Sequence, residues 1–262
     1  MPEGDTVYRA AKKLDEALSG QLLTRSDFRI PSLATSDISG AVVLETISRG
    51  KHLLMRFDNG LTLRTHLKME GTWMVHPVGS RWRRPAHTAR VVLRTETTEA
   101  VGFAVVMDLV RTSTEDDLVG HLGPDLLGPD WDPDLALRNL RSDPEATIGD
   151  ALLQQRNLAG VGNVFKSEIC FITRVDPRTP VGAVPDLPGV VRASKKLLEV
   201  NKDRPTRITT GDRRHGYQLW VYGRRGPCLR CGTRIEKADQ GPPGQERPTY
   251  WCPRCQPLLG EA

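Results

Sequence analysis

The chain has 262 residues, 38% of them hydrophobic and 26% charged, with a net charge of +5. That size and balance suit one large or two smaller globular domains and exclude wholesale disorder. No run approaches the roughly 20 apolar residues that span a bilayer, and MPEGDTVYRA lacks the apolar core of a secretory signal, so the chain reads as cytosolic, with reduced thiols.

Residues 6–19 are expected to form an amphipathic helix. Thr6 is its expected N-cap, Val7, Ala10, Ala11, Leu14 and Leu18 make one apolar stripe, and Gly20 ends it. From about 41 to 109 the pattern turns to short β-type runs. AVVLETIS, HLLMRF and LTLRTHL are separated by turn residues at 49–50 and 58–60, and TWMVH, RVVLRT and VGFAVVMDLV continue the series. Six to eight strands after one helix indicate a β-sandwich or barrel-like domain. HLGPDLLGPDWDPD is rich in breakers and reads as a linker. The chain then turns helical, through DLALRNLRS, TIGDALLQQ, NVFKSEICFITR and VVRASKKLLEVNK. The expected architecture is a two-domain α+β protein: a β-sandwich over 1–121, a linker over 122–134, a helical domain over 135–222 and a ribbon over 223–262.

Within LLQQRNLAGVGNVFKSEICF, one helix is expected to end near Asn157 and the next to start at Asn163, with Gly160 and Gly162 in the turn between them. Glycines let backbone approach a ligand, and a helix N-terminus offers free N–H groups to an anion. An ordinary helix hairpin would need similar glycines, so this motif alone does not decide. Charge is uneven: residues 201–255 hold 12 Lys and Arg against 5 Asp and Glu, a local balance of +7 that leaves −2 for the rest. Such a basic stretch fits a polyanion partner or a solvated arginine-rich surface.

The cysteines are more specific. Cys228, Cys231, Cys252 and Cys255 read C-x2-C-x20-C-x2-C, the spacing of a zinc ribbon whose two knuckles are joined by a β-hairpin. Four thiolates suit one tetrahedral Zn²⁺ and close its shell, which makes the expected ion structural. Cys170, in the apolar run SEICFI, is expected to be an inert core thiol.

Dispersed motifs together carry a resemblance: PEG after Met1, RGKHLL at 49–54, THLKMEG at 65–71, LGPDLL at 122–127, LAGVGN at 158–163, and RPTYWCPRC at 247–255. In this order they resemble the Fpg/Nei family of DNA glycosylases, nearly end to end, and more the endonuclease VIII (Nei) branch of actinobacterial type. The resemblance implies a bifunctional glycosylase and abasic-site lyase acting on double-stranded DNA with a damaged base or abasic site; a monomer is the default expectation. It implies a bacterial cytoplasmic protein, associated with the nucleoid through DNA. Pro2, freed by removal of Met1, would be the nucleophile, because an α-amine with a pKa near about 8 is partly neutral at physiological pH. Glu3 would be the acid/base carboxylate. Lys51 would contact a phosphate and assist proton transfer. His66, Asn163 and Arg247 would hold phosphates, Gln155 would stabilise the helix turn, and Met69 would fill the hole left by the extruded nucleotide.

The chain departs from the family pattern at several points. Thr6 stands where many members have a second glutamate, and Lys68, Met69 and Glu70 replace a Gln-Leu-Tyr wedge. The Arg-Arg-Phe segment of the Fpg branch is absent; the nearest stretch, MDLVRTSTEDD, has only Arg111. Its absence argues for oxidised pyrimidines over 8-oxoguanine. Residues 205–216 are polar and breaker-rich and read as a loop over the lesion, with His215 a surface residue. The alternatives left open are a lyase confined to abasic sites or preferring oxidised purines, and a non-catalytic zinc-ribbon DNA binder.

Overall fold

The structure is a computed structural model that describes residues 2–244 and 246–259. The chain divides into two compact units, Met1–His121 and Leu122–Ala262. In the first, helix α1 (Gly4–Leu18) precedes eight strands: β1 (Arg25–Phe28), β2 (Val43–Arg49), β3 (His52–Phe57), β4 (Leu61–His66), β5 (Thr72–Pro77), β6 (Ala89–Arg94), β7 (Thr98–Phe103) and β8 (Val106–Arg111). A short helix, α2 (Asp116–Val119), ends the unit. The strands form two antiparallel sheets, in orders β1-β6-β7-β5 and β2-β3-β4-β8. Val7, Ala11, Leu14 and Leu18 of α1 share one core with Leu53, Met55 and Leu63 of one sheet and Val91, Leu93 and Ala100 of the other. This is the expected sandwich with its leading helix.

Several local expectations shift. Helix α1 starts at Gly4, and its N-cap is the extended Glu3 rather than Thr6. The Glu3 carbonyl accepts the Thr6 and Val7 N–H groups at 2.9 and 3.0 Å, so Thr6 lies inside the first turn. The run VGFAVVMDLV is two strands in different sheets, because Ala104 takes a left-handed φ of +51° and breaks it. Strand β1, RSDF, has no apolar alternation to announce it; it is recruited by pairing with β6.

The second unit holds α3 (Pro133–Arg141), α4 (Ile148–Leu153), α5 (Asn163–Ile172) and α6 (Leu187–Asn201), then the hairpin β9 (Glu236–Gln240) and β10 (Arg247–Trp251). Leu126, Leu140, Leu152, Phe165, Ile169 and Leu198 lie in its core. Residues 122–134, read from sequence as a linker, pack into this unit: Leu126 is fully buried and Asp125 bridges Ala159. Their prolines and glycines shape a tightly packed turn instead of a free connection. Helix α4 stops at Leu153, short of Asn157, since the following side chains bond the turn backbone instead of extending the helix. Among the described residues no helix is long and apolar enough to cross a membrane.

Candidate functional site

In the first unit, Pro2 is half-buried immediately ahead of α1, and Glu3 is fully buried at its cap position. Two consecutive residues thus bring a backbone nitrogen and a carboxyl-bearing side chain to the positive end of a 15-residue helix.

Lys51, in the β2–β3 turn, and His66, the last residue of β4, lie at the same end of the second sheet. The β2–β3 hairpin closes over Gly50 and Lys51, with Arg49 opposite His52. Gly50 has φ +57°, the value that the first position of a tight hairpin turn demands. His52 pairs with His66 across β3 and β4, their rings edge to face at 5.2 Å. Burial, together with Lys68, Arg64 and Lys51, pushes the His66 imidazole down to about 4. Burial and neighbouring cations push His52 down to about 3. Both rings are therefore neutral at pH 7. The Lys68 N–H donates to His66 Nδ1 at 2.9 Å, which leaves the proton on Nε2 as an outward donor.

Met69 stands on the turn that follows. Residues 67–71 close through the Gly71 N–H donating to the Leu67 carbonyl at 2.8 Å. A Cβ on residue 71 would lie 2.4 Å from the Leu67 oxygen, so only glycine fits. Lys68 is held at φ +49°, an uncommon value for a residue with a side chain, and Met69 is 60% exposed. An apolar side chain displayed on a constrained turn is no core methionine.

In the second unit, Gln155 spends its amide on the helix turn. Its Nε2 donates to the Leu153 and Val161 carbonyls at 2.8 and 2.9 Å, and its Oε1 accepts the Gly160 N–H at 3.0 Å. Asn163 is the first residue of α5, is 1% exposed, and donates from Nδ2 to the Pro248 carbonyl at 2.8 Å. That bond draws β10, and with it the exposed Arg247, to the α5 N-terminus. The four ribbon cysteines have their Sγ atoms within 4.8 Å of one another, with pairs at 3.5 and 4.0 Å. A zinc tetrathiolate with bonds of about 2.3 Å has sulfur–sulfur edges of about 3.8 Å, so the donor set fits a tetrahedral ion. Cys170 is buried and its thiol is pushed up to about 12 by that burial, in keeping with an inert core position. His215 is exposed.

Sequence reasoning passed over Glu168. It is fully buried on α5 and accepts the Trp220, Val221 and Tyr222 N–H groups at 2.8, 2.9 and 2.9 Å, and the Thr209 hydroxyl. One carboxylate thus anchors both ends of the 209–222 loop. A charge inside the apolar run SEICFI was the available signal. Glu168→Gln puts an amide donor against those N–H groups. It is expected to destabilise the second unit by about 2 kcal/mol and to speed hydrogen exchange at the Trp220, Val221 and Tyr222 amides. Unchanged exchange there would remove this anchoring role.

The histidines give a pH prediction. Each has a folded pKa below its ordinary 6.5, so each contributes stability that is complete above about pH 6.5 and is lost as pH falls through the folded values. The thermal midpoint should fall between pH 6.5 and 4, and His66→Gln should flatten that fall. A slope the same in wild type and variant would contradict the burial argument.

The chain is similar to known proteins along nearly its whole length. The family described as formamidopyrimidine-DNA glycosylase N-terminal domain matches residues 1–108. A probable endonuclease 8 2 of Streptomyces coelicolor is 57% identical, over 98% of this chain and 94% of its own. The DNA-(apurinic or apyrimidinic site) lyase Nei2 of Mycolicibacterium smegmatis is 48% identical, over 98% of this chain and 99% of its own. The Lactococcus lactis formamidopyrimidine-DNA glycosylase, solved with DNA containing an abasic site, superposes with a TM-score of 0.81 at 21% identity, over 98% of this chain and all of its own. End-to-end identity to endonuclease 8 proteins and a shared fold with the glycosylase place this chain in the Fpg/Nei family of DNA repair glycosylases and abasic-site lyases.

Proposed function

We propose that this chain excises oxidised pyrimidines from duplex DNA and cleaves the resulting abasic site through an N-terminal proline Schiff base. The observation that carries the reading is Pro2 beside the buried Glu3 at the start of α1. Once Met1 is removed, Pro2 is a secondary amine. An α-amine ionises near about 8, and the positive end of α1 further disfavours its charged form. The neutral nitrogen attacks C1′, the N–C1′ bond forms, and the glycosidic bond breaks with the base as leaving group, which takes up the proton that the amine nitrogen gives up. Glu3 donates a proton to the sugar ring oxygen, the ring opens, and a cationic iminium remains. The iminium acidifies the C2′ proton, whose loss expels the 3′ phosphate. Loss of a second proton expels the 5′ phosphate, completing β,δ-elimination.

The remaining residues bind and bend the substrate. Lys51 and the Nε2–H of His66 are assigned to phosphates beside the lesion. The first-turn N–H groups of α5, with Asn163 holding Arg247 alongside, are assigned to a further phosphate. Met69 enters the duplex where the nucleotide leaves it. Cys228, Cys231, Cys252 and Cys255 hold one structural Zn²⁺, which fixes the knuckles beneath the β9–β10 hairpin. Pyrimidine preference rests on the missing Arg-Arg-Phe segment and on the endonuclease 8 relatives. A narrower lyase acting mainly on preformed abasic sites is the second reading, favoured by the name of the Mycolicibacterium relative.

Borohydride trapping on a duplex with one abasic site tests the chemistry. Wild type lacking Met1 by intact mass should give a covalent complex, and Pro2→Gly should lose most of it while still binding DNA. Trapping independent of Pro2 would end the proline assignment. Glu3→Gln should reduce excision of an oxidised pyrimidine far more than cleavage of a preformed abasic site; a wild type inactive on oxidised pyrimidines selects the narrower reading. Cys252→Ser should lose bound zinc by elemental analysis together with DNA affinity; full zinc content in the variant would remove the ribbon assignment.

A further inference from the structure

The first unit carries a cationic loop that the mechanism above does not use. Residues 78–88, between β5 and β6, include Arg81, Trp82, Arg83 and Arg84. Exposed arginines on a surface loop are ordinarily only solvated. Here the loop is fastened at two points. Trp82 turns inward: its Nε1–H donates to the buried Glu99 carboxylate at 2.7 Å, its ring meets Phe103 edge to face at 5.7 Å, and Arg29 lies over it at 5.2 Å. Arg94 pairs with the same Glu99 carboxylate and fixes its position. Two residues on, Arg84 Nη1 donates to the Glu70 carbonyl at 3.1 Å. Glu70 is the residue next to Met69, within the 67–71 turn.

The pattern alternates. Trp82 points into the unit, while Arg81, Arg83 and Arg84 are exposed. Arg81 and Arg83 make no ion pair with any described residue. Two unpaired guanidinium groups are thus displayed on a rigid support that is itself bonded to the turn bearing Met69. Arg81 and Arg83 stand two residues apart, a span of at most about 7 Å, which matches about two steps of one DNA strand at about 3.4 Å each. Guanidinium groups bind phosphate oxygens through paired donors.

From this juxtaposition we propose that Arg81 and Arg83 bind backbone phosphates of the duplex next to the point where Met69 enters, with Arg84 as a positioning residue that braces the 67–71 turn. The inference rests on the reading that Met69 enters DNA. It gives the chain phosphate contacts flanking the wedge from a segment other than the missing Arg-Arg-Phe stretch.

The test is equilibrium binding of the full chain to a duplex with a tetrahydrofuran abasic-site analogue, followed by fluorescence anisotropy from about 0.05 to about 0.2 M salt. Each lost phosphate contact lowers the slope of log K against log salt by about 0.9. Arg81→Ala with Arg83→Ala should therefore lower the slope by about 1.8, so that wild type loses about 12-fold more affinity than the variant across that range. Arg81→Lys with Arg83→Lys, which keeps both charges, should restore most of the slope. Parallel plots for wild type and the alanine variant would overturn the proposal. Borohydride trapping of wild type on a true abasic site runs alongside: its failure would overturn the lyase reading, while the salt slopes still decide the arginines.

Discussion

Helix α5 carries an asparagine, a lysine and a glutamate into a core, and the second unit is organised around the bonds these three make, with the Asn163 Oδ1 left buried without a partner among the described residues. Asn163 binds the Pro248 carbonyl, Lys166 donates to the Thr249 hydroxyl at 2.5 Å, and Glu168 gathers three backbone N–H groups of the 220–222 segment. An unsatisfied charge in such a place costs several kcal/mol. The apolar side of α5 continues the same task, with Phe171 stacked on Trp220 at 5.2 Å in the core that also holds Cys228 and Cys252. The N-terminal end of α5, about 15 Å from its other end, thus faces β10, while the C-terminal end supports the ribbon. The N-terminus of α5 and the four-cysteine knuckles are thus tied to one helix.

The first unit answers a different constraint. Two sheets and α1 enclose the main core, with a smaller cluster of Ala89, Val92, Val101 and Phe103 beside it, and the chain passes between sheets at short turns whose backbone has little choice. The 67–71 turn is the consequential one. It connects β4 of one sheet to β5 of the other, is closed by its own hydrogen bond, and excludes any side chain at position 71. Met69, at the middle of that turn, is exposed. The same turn orients His66, since the Lys68 N–H that follows from its geometry occupies Nδ1. Burial keeps the imidazole neutral, so the ring can offer a hydrogen bond rather than a charge.

Much of the fold was legible in the sequence, for identifiable reasons. The stripe of Val7, Ala11, Leu14 and Leu18 recurs at helical spacing, and each of these residues is buried. HLLMRF and LTLRTH alternate or run apolar between turn residues and form β3 and β4. The elements that were misread fail where local pattern loses to tertiary pairing: β1 has no apolar pattern and exists through β6, and one apolar run is divided by the backbone of Ala104. The breaker-rich 122–134 segment is packed for the same reason, because prolines and glycines shape buried turns as readily as open ones.

By itself, the sequence determined the chemical inventory: a proline and glutamate at the start, four cysteines at ribbon spacing, a glycine-flanked asparagine, and a basic stretch over 201–255. Those features depend on residue type and local spacing, which a linear chain records directly. Tertiary structure alone decided which polar groups are consumed and which are offered. Gln155 and Glu168 are spent on backbone, Asn163 is turned onto β10, His66 is left with one donor, and Arg84 is bound to the Met69 turn while Arg81 and Arg83 stay open. Hydrogen-bond satisfaction is a property of neighbours in space, and several of these neighbours lie more than 50 residues away along the chain.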